Sequence, residues 1–215
     1  NGIPWRLSPG GTPKSLRTGR EKDAGRSWQG VNAVKILYVV TISATANAFL
    51  VPHIKMLCDE GHQVDLACNV VGEIDGEIMR GGCQVFDLPF KRSVFRRANV
   101  IAYRQLRDLV RREQYDLVHC HTPIAATCAR LACRQVKNTR VFYTAHGFHF
   151  STGAPLLNWL AYYPVEWWLA RYTDVLITIN QEDFARASRS FRAGRVAYVP
   201  GVGPDVGKFQ GAGLD

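Results

Sequence analysis

Seven short runs of apolar residues, separated by longer segments with a helical period, dominate the chain from Val34 onward. Most of these runs are apolar at every position, which is typical of parallel strands that helices cover on both faces. The intervening segments are long enough for the crossover helices that parallel strands require. The sequence therefore predicts an α/β fold with a doubly wound, mainly parallel, Rossmann-like sheet of about seven strands. The predicted strands are Lys35–Val40, Val64–Cys68, Gln84–Leu88, Leu117–Cys120, Val141–Thr144, Val175–Ile179 and Val196–Val199.

Capping residues mark the ends of several predicted helices. Gly61 follows the first helical segment, at the position where glycine commonly ends a helix. Asn180, with Asp183 three residues later, resembles a capping box in which Asp replaces Glu. Pro164 should kink or interrupt the helix that contains it. The predicted helices are Ala48–Glu60, Arg96–Arg112, Ile124–Val136, Pro155–Arg171 and Gln181–Phe191.

The two ends of the chain differ in composition from its middle. Residues 1–33 hold six basic and two acidic residues, and so carry +4 of the chain's net charge of +9. They are rich in Gly, Pro, Ser and Arg and have no hydrophobic period, which predicts a disordered basic extension. Residues 201–215 are rich in Gly, which predicts the start of a linker to a second domain. The folded domain is therefore expected at residues 34–200.

Composition and motifs exclude several classes of protein. The chain is 47% hydrophobic, which is too apolar for a wholly disordered protein. It has no run approaching the roughly 18 to 20 apolar residues of a membrane span and no secretory signal at its start, so a cytoplasmic location is expected. Because no nucleic-acid-binding motif accompanies the basic residues, no nucleic-acid partner is expected. The six cysteines include no C-x-x-C pair, which predicts reduced core thiols.

Three polar loops are predicted to meet at one edge of the sheet. In a doubly wound fold, ligands bind beyond the carboxyl ends of the strands, at the point where the strand order reverses. With the usual order 3-2-1-4-5, that point lies between the first and fourth strands. The loops that meet there are Thr41–Asn47, His121–Pro123 and Ala145–Gly153. We expect the binding site at this edge.

The first of these loops contains hydroxyl and amide side chains and no glycine. A dinucleotide site needs glycines there so that the backbone can approach the pyrophosphate, and the loop therefore argues against a nicotinamide or flavin dehydrogenase. Ser43, Thr45 and Asn47 instead favour hydrogen bonds to a sugar or a phosphate. The alternative is that these side chains only cap the helix that follows.

Four histidines, at positions 119, 121, 146 and 149, lie near the same predicted edge. A metal site is one interpretation, but no carboxylate accompanies the histidines in these loops, and no metal is predicted. His119 is expected to be a buried, hydrogen-bonded strand residue. His121 and His146 stand at strand ends, where a polar side chain can reach a ligand. Their neighbours Thr122 and Gly147 complete the candidate substrate-binding residues.

Basic and aromatic residues gather in two of the helical segments. Residues 91–112 hold eight basic residues and one acidic residue, and residues 159–172 hold six aromatic residues beside Arg171. Such faces suit an anionic membrane surface, which predicts a peripheral position on the inner face of the plasma membrane. The alternatives are a solvated face for the basic residues, and core packing or a contact with another domain for the aromatic residues. The basic residues at helical spacing are Arg97, Arg104, Arg107 and Arg111, with Tyr103, Leu106 and Val110 facing the core.

An ordered series of segments resembles the N-terminal domain of glycosyltransferase family 4, in its bacterial capsular and exopolysaccharide branch. The resemblance runs from about Val34 to Phe209, and the series is more specific than any single segment in it. The segments are Val34–Val40, Gly61–Val64, Tyr115–Pro123, Tyr143–Phe148, Tyr162–Glu166, Tyr172–Asn180 and Val199–Gly203.

The resemblance implies a GT-B enzyme that transfers a sugar with retention of configuration. The donor would be a nucleotide-sugar, expected to be UDP-linked, and the acceptor a glycan or a polyprenyl-phosphate-linked glycan in surface polysaccharide synthesis. No cofactor and no metal are implied. In this family the N-terminal domain receives the acceptor, and the histidine after its fifth strand faces the donor sugar, which makes His146 the candidate catalytic residue. Thr45, Asn47 and His121 are then candidates for acceptor or phosphate contacts.

The chain departs from the family pattern in two ways. Its first loop lacks the Gly-Gly pair of many relatives, which argues against backbone contact with the donor phosphate. The family's C-terminal domain, with its two-glutamate donor-binding motif, does not follow within these 215 residues, so this chain by itself is expected to be inactive. Two other functions stay open: a non-catalytic sugar- or lipid-phosphate-binding module from a truncated gene, and a GT-B nucleotide-sugar epimerase.

Overall fold

Seven parallel strands form one sheet in the computed structural model, which describes residues 33–93 and 96–201. The strands are β1 (Lys35–Ile42), β2 (Gln63–Asn69), β3 (Val85–Asp87), β4 (Leu117–His121), β5 (Arg140–Ala145), β6 (Val175–Thr178) and β7 (Arg195–Tyr198). Their order is β3-β2-β1-β4-β5-β6-β7, and every neighbouring pair is parallel. The predicted doubly wound, Rossmann-like sheet is therefore confirmed, with its reversal between β1 and β4.

Helices connect successive strands. They are α1 (Ser43–Phe49), α2 (Val51–Asp59), α3 (Gly76–Arg80), α4 (Arg97–Glu113), α5 (Pro123–Cys133), α6 (Leu156–Leu169) and α7 (Gln181–Ser190), and a 3₁₀ turn, Ala170–Tyr172, follows α6. The predicted basic extension, residues 1–33, lies outside the described residues except for Ala33. The predicted linker, residues 201–215, lies outside them except for Gly201.

Each face of the sheet carries its own hydrophobic core. Side chains of β1 alternate between the two, because successive residues of a strand point to opposite faces. Ile36, Tyr38 and Val40 are buried in the core beneath α1, α2 and α3. Leu37 and Val39 are buried in the larger core beneath α4, α5, α6 and α7. The burial of β1 on both faces explains why its sequence is apolar at consecutive positions.

The structure corrects the prediction between the first two strands. The expected loop Thr41–Asn47 does not exist as a loop, since β1 continues to Ile42 and α1 begins at Ser43. The single helix predicted at Ala48–Glu60 is instead the end of α1 and a second helix, α2. Proline lacks the N–H that would continue the helical hydrogen bonds, so Pro52 favours a new helical start at Val51.

Two other helices also differ from the prediction. The short helix α3 was not predicted; its first turn is capped by Asp75, whose side chain accepts the N–H of Glu77. Helix α6 contains Pro164 and continues through it without interruption.

The predicted caps are confirmed. Gly61 follows α2 with a φ of +85°, and its N–H donates to the carbonyl of Cys58 while the N–H of His62 donates to that of Leu57. This pattern is a Schellman motif, which favours glycine because a side chain is strained at positive φ. At the start of α7, the side chain of Asn180 accepts the N–H of Asp183.

Two aspartates occupy the amino-terminal edge of the sheet, away from the reversal point. The Asp116 carboxylate accepts the N–H of Lys35, and the Asp174 carboxylate accepts the N–H of Val141, each at 2.8 Å. Both therefore anchor the start of a neighbouring strand.

All six cysteines are free thiols, five of them buried, as predicted for a reduced core. Among the described residues, no helix is both long and apolar enough to cross a bilayer.

A buried ion pair joins α5 to α6. The Arg130 guanidinium donates to both carboxylate oxygens of Glu166, at 2.8 and 3.1 Å, and the two side chains are 1% and 9% exposed. Arg130 also donates to the carbonyl of Ala126 and lies 4.4 Å from the ring centre of Tyr143. The bidentate pairing and the ring contact hold α6 in one orientation against the sheet.

Candidate functional site

The candidate site lies at the carboxyl edge of β1, β4 and β5, where the strand order reverses. His121 is the last residue of β4, and His146 directly follows β5. Register places His121 beside Thr144 on the neighbouring strand, so the two histidines emerge close together. The structure therefore brings together the two strand-end histidines that the sequence singled out.

Three histidine rings stand in a row across this edge, and we call His119, His121 and His146 the histidine row. The ring centres of His119 and His121 are 4.4 Å apart, and those of His121 and His146 are 5.4 Å apart. Tyr38 packs at one end of the row, 5.1 Å from His119. Phe49, at the end of α1, lies 5.8 Å from His146 at the other end. Sequence reasoning missed Phe49, because it placed this residue at the start of a helix predicted at Ala48–Glu60 and not at the end of α1.

Of the first two members of the row, His121 is buried and His119 is half-buried. His119 Nε2 lies 2.9 Å from Oγ1 of Thr144, which confirms the expected hydrogen-bonded strand residue. Burial lowers the pKa of His119 to about 3 and that of His121 to about 2, and nearby histidines add to both shifts. Both rings are therefore neutral at pH 7. His121 is only 6% exposed, so it lies behind His146 as viewed from solvent.

His146 is the exposed member of the row. Its Nε2 lies 3.2 Å from Nδ1 of His121, while its Nδ1 has no hydrogen-bond partner among the described residues. Partial burial lowers the pKa of His146 below its usual value, which favours the neutral ring at pH 7. A neutral imidazole that is held on one nitrogen and free on the other can offer a single directed hydrogen bond to a ligand.

A side chain of α7 holds the loop after His146 in place through a hydrogen bond to its backbone. Gly147 has a φ of +132°, a backbone conformation that residues with a side chain rarely adopt. The next residue, Phe148, donates its N–H to the buried Asp183 carboxylate at 2.9 Å, and Asn180 donates to the same carboxylate at 2.7 Å. Sequence reasoning identified Asp183 only as a capping residue and missed this contact, since nothing local to position 183 indicates a partner 35 residues away.

The predicted ligand contacts from the first segment are largely engaged within the protein. Ser43 is buried; its hydroxyl donates to the carbonyl of Val71 and accepts the N–H of the same residue. The Asn47 side chain donates to the carbonyl of Glu73 and accepts the N–H of Asp75. Both residues thus fasten the segment after β2 to α1. Thr45 is half-buried on α1 and makes no side-chain hydrogen bond among the described residues.

Thr122 joins the ends of β1 and β4. Its hydroxyl accepts the N–H of Thr41 at 3.2 Å and lies 2.7 Å from the Thr41 hydroxyl. Its φ of +63° is unusual for a β-branched residue and is a source of backbone strain. Strained residues of this kind persist only where their surroundings hold them, and here the Thr41 contacts do so.

Other chemistry at this edge is limited. Within residues 33–93 and 96–201, no group of three or more His, Cys, Asp or Glu side chains is arranged to hold a metal ion. The remaining predicted histidine, His149, faces another direction, with its ring stacked on Tyr162 at 4.7 Å.

Helix α4 presents basic residues to solvent. Leu106 and Val110 are buried against the core and Tyr103 packs beside them, as expected. Near the start of the helix, a surface hollow of about 480 Å³ is lined by Lys91, Ser93, Arg96, Arg97 and Ala98. The exposed apolar residues Val100 and Ile101 follow one turn later.

Helix α6 presents an apolar face to solvent. Leu156, Leu157 and Leu160 are 73%, 74% and 67% exposed, and Trp167 and Trp168 are exposed further along. The guanidinium of Arg171 lies within 6 Å of both tryptophan rings, a cation–π arrangement. A hollow of about 310 Å³ between α5 and α6 has an almost wholly apolar lining. Single exposed leucines are common, but contiguous faces of this kind mark interaction surfaces.

Comparisons of the sequence with known proteins agree with the resemblance. Residues 35–180 match the model of the family described as glycosyl transferase 4-like. The chain is 44% identical over 179 residues to EpsD of Bacillus subtilis (strain 168), provisionally described as a glycosyltransferase. It is 26% identical over 130 residues to the Escherichia coli UDP-Gal:alpha-D-GlcNAc-diphosphoundecaprenol alpha-1,3-galactosyltransferase. These matches cover 82% and 60% of this chain and 46% and 33% of the relatives, so the chain spans less than half the length of either.

Solved structures share the fold at low sequence identity. A glycosyltransferase from Rickettsia africae matches with a TM-score of 0.56 at 15% identity, over 86% of this chain and 47% of that one. The UDP-GlcNAc 2-epimerase of Neisseria meningitidis, solved with UDP-GlcNAc bound, matches with a TM-score of 0.56 at 12% identity, over 76% and 45%. These likenesses establish the GT-B-like architecture of the domain. The family match over residues 35–180 and the relative at 44% identity show that the chain is a member of the glycosyl transferase 4-like family.

Proposed function

We propose that this chain is the acceptor-side, N-terminal half of a retaining glycosyltransferase. The enzyme would move a sugar from a UDP-linked donor to a glycan or polyprenyl-phosphate-linked acceptor in the synthesis of a surface polysaccharide. Family membership supports sugar transfer. The printed name of the Escherichia coli relative, a UDP-galactose-dependent enzyme acting on a diphosphoundecaprenol-linked sugar, supports the donor and acceptor classes. The chain's span of less than half of its relatives supports a second, donor-binding domain.

One observation carries this proposal: the exposed His146 ring is held by His121 at the point of strand reversal. In a GT-B enzyme this edge faces the cleft. A neutral His146 would donate its free N–H to a donor-sugar hydroxyl or to an oxygen that gains charge as the glycosidic bond breaks. Thr45 is the second ligand-contact candidate, because its hydroxyl is free of side-chain hydrogen bonds among the described residues. Ser43, Asn47 and Thr122 would position α1 and the strand ends that flank the ligand.

The lipid-linked acceptor would be met at a membrane surface. We place the protein on the cytoplasmic side of the plasma membrane, with the apolar face of α6 entering the lipid interface and the basic start of α4 facing anionic headgroups. The tryptophans beside Arg171 suit the headgroup level, where an aromatic ring meets both apolar and polar surroundings. This surface would bring the cleft to the acceptor's phosphate.

The test is the requirement for acceptor. The native gene product would be incubated with each of a panel of radiolabelled UDP-hexoses, with and without a polyprenyl-diphosphate-linked glycan. The proposal predicts label in the lipid-linked product only when acceptor is present. Free UDP with an epimerised sugar in the absence of acceptor would instead indicate the nucleotide-sugar epimerase. Binding of acceptor without turnover of any donor would indicate the non-catalytic module.

A further inference from the structure

The two ring nitrogens of His121 have different surroundings. Nδ1 lies 3.2 Å from Nε2 of His146. Nε2 is buried and has no hydrogen-bond partner, one of only two such buried side-chain atoms among the described residues. The ring itself is held tightly, with His119 at 4.4 Å and Tyr38 at 5.8 Å between ring centres, so it cannot turn to satisfy the second nitrogen without repacking.

This asymmetry decides between two arrangements of hydrogens. In the first, His146 donates from Nε2 to Nδ1 of His121, and His121 must then carry its hydrogen on the buried Nε2. In the second, His121 donates from Nδ1 to Nε2 of His146, and its buried Nε2 is a bare lone pair. A buried N–H without an acceptor is rarer in folded proteins than an unpaired acceptor, which favours the second arrangement.

We infer that His121 is a positioning residue that holds His146 in the tautomer with its hydrogen on Nδ1. The free nitrogen of His146 is then always a donor and never a base toward a ligand. His121 does not contact the ligand itself in this arrangement; it acts through His146. The inference rests on the proposed function only for the identity of that ligand, since the tautomer is a property of the chain without substrate.

The test reads the tautomer directly. The ¹⁵N shifts of the two His146 ring nitrogens would be measured at about pH 7 by two-bond ¹H–¹⁵N NMR on the chain labelled in its histidines, where a protonated and a bare nitrogen of a neutral ring are well separated. Three variants accompany the wild type. His121→Phe keeps the ring volume and removes the donor, His121→Asn restores an N–H near the Nδ1 position, and His149→Asn changes a histidine outside the row.

Wild-type His146 is expected to show hydrogen on Nδ1, and His121→Asn and His149→Asn are expected to keep that pattern. In His121→Phe the two ¹⁵N shifts should move toward each other, because nothing then fixes the tautomer. Hydrogen on Nε2 of His146 in the wild type overturns the inference, and so does an unchanged pattern in His121→Phe. If His121→Phe fails to fold, the spectra of the wild type and of His121→Asn still show which ring nitrogen of His146 carries the hydrogen. A wild-type result against the inference leaves the proposed sugar transfer untouched, because the acceptor-dependence assay reads that separately.

Discussion

The carboxylate of Asp183 accepts the backbone N–H of Phe148 at 2.9 Å and thereby ties the start of α7 to the loop that carries His146. The same carboxylate accepts a hydrogen bond from Asn180 at 2.7 Å and is 2% exposed. A side chain that follows β6 thus holds the backbone of the loop that follows the neighbouring strand, β5. This link turns a glycine-containing loop into a rigid support for an exposed histidine.

Removing this carboxylate should loosen the His146 loop. Asp183→Ala leaves the buried N–H of Phe148 unpaired, and we expect a loss of about 2 to 3 kcal/mol in the free energy of unfolding. The amide of Phe148 should also exchange with solvent faster than in the wild type. Urea unfolding and hydrogen exchange measure both effects. Gln181→Ala is the matched control on the same turn; Gln181 is exposed and makes no side-chain hydrogen bond among the described residues, so its replacement should cost less than about 1 kcal/mol. Equal costs for the two variants would contradict this account of Asp183.

The ion pair between Arg130 and Glu166 should be costly to break from one side. Glu166→Leu leaves a guanidinium that is 1% exposed without its partner, and we expect a loss of about 3 to 5 kcal/mol. Replacing both residues, as Arg130→Met with Glu166→Leu, should recover most of that loss, because the uncompensated charge is gone. The surface pair of Lys55 and Asp59 is the control, and Lys55→Ala should cost under about 1 kcal/mol. A double variant as unstable as Glu166→Leu would contradict this prediction.

Stability should fall in mildly acidic solution because of the histidine row. Unfolded histidine has a pKa of about 6.5, whereas burial lowers the pKa of His121 to about 2 and that of His119 to about 3. The unfolded chain therefore binds more protons between these values, and the stabilisation present above about pH 6.5 is lost as the pH falls toward 3.

Urea unfolding across about pH 7 to pH 5 checks this proton linkage. The two histidines should contribute an uptake of up to about two protons on unfolding, and His121→Phe should remove about one of them. Comparison of His121→Phe with the wild type isolates the share of His121, because all other titratable groups are the same in the two chains. The same pH dependence in His121→Phe as in the wild type would show that His121 is protonated in the folded chain.

The apolar face of α6 should bind membranes. Sedimentation with vesicles of phosphatidylglycerol and phosphatidylcholine should capture the wild-type chain. Replacing Leu156, Leu157 and Leu160 by Gln should weaken binding by at least about tenfold, since each inserted leucine contributes on the order of 1 kcal/mol or more. Val71→Gln with Met79→Gln is the control, because both residues are exposed and apolar but lie outside α6. Undiminished capture of the triple variant would contradict the assignment of this face.

The sheet could be predicted from the sequence because strand burial and strand composition are local properties. Lys35–Val40 was predicted as a strand from its composition alone, and its apolar residues on both faces already indicate two covering layers. The order β3-β2-β1-β4-β5 follows the usual rules of doubly wound folds, in which the order reverses between the first and fourth strands. The carboxyl-edge location of His121 and His146 follows from the same rules.

The parts of the site that could not be predicted depend on contacts between distant segments. Ser43 and Asn47 seemed free for a ligand because the sequence does not indicate that the backbone of residues 71–75 returns to them. The role of Asp183 at Phe148 was hidden for the same reason. The 3.2 Å contact between His121 and His146 needs the strand register, which only the folded sheet supplies.

The rate of sugar transfer by the native gene product, with His146→Ala compared against His149→Ala, tests the central claim most directly. Both substitutions remove a histidine from the same loop, but only His146 lies in the row. The account predicts that His146→Ala lowers kcat by roughly 100-fold or more, the scale expected for a lost donor to a reacting oxygen, while His149→Ala stays near the wild-type rate. Wild-type kcat in His146→Ala would contradict it and place the reaction elsewhere.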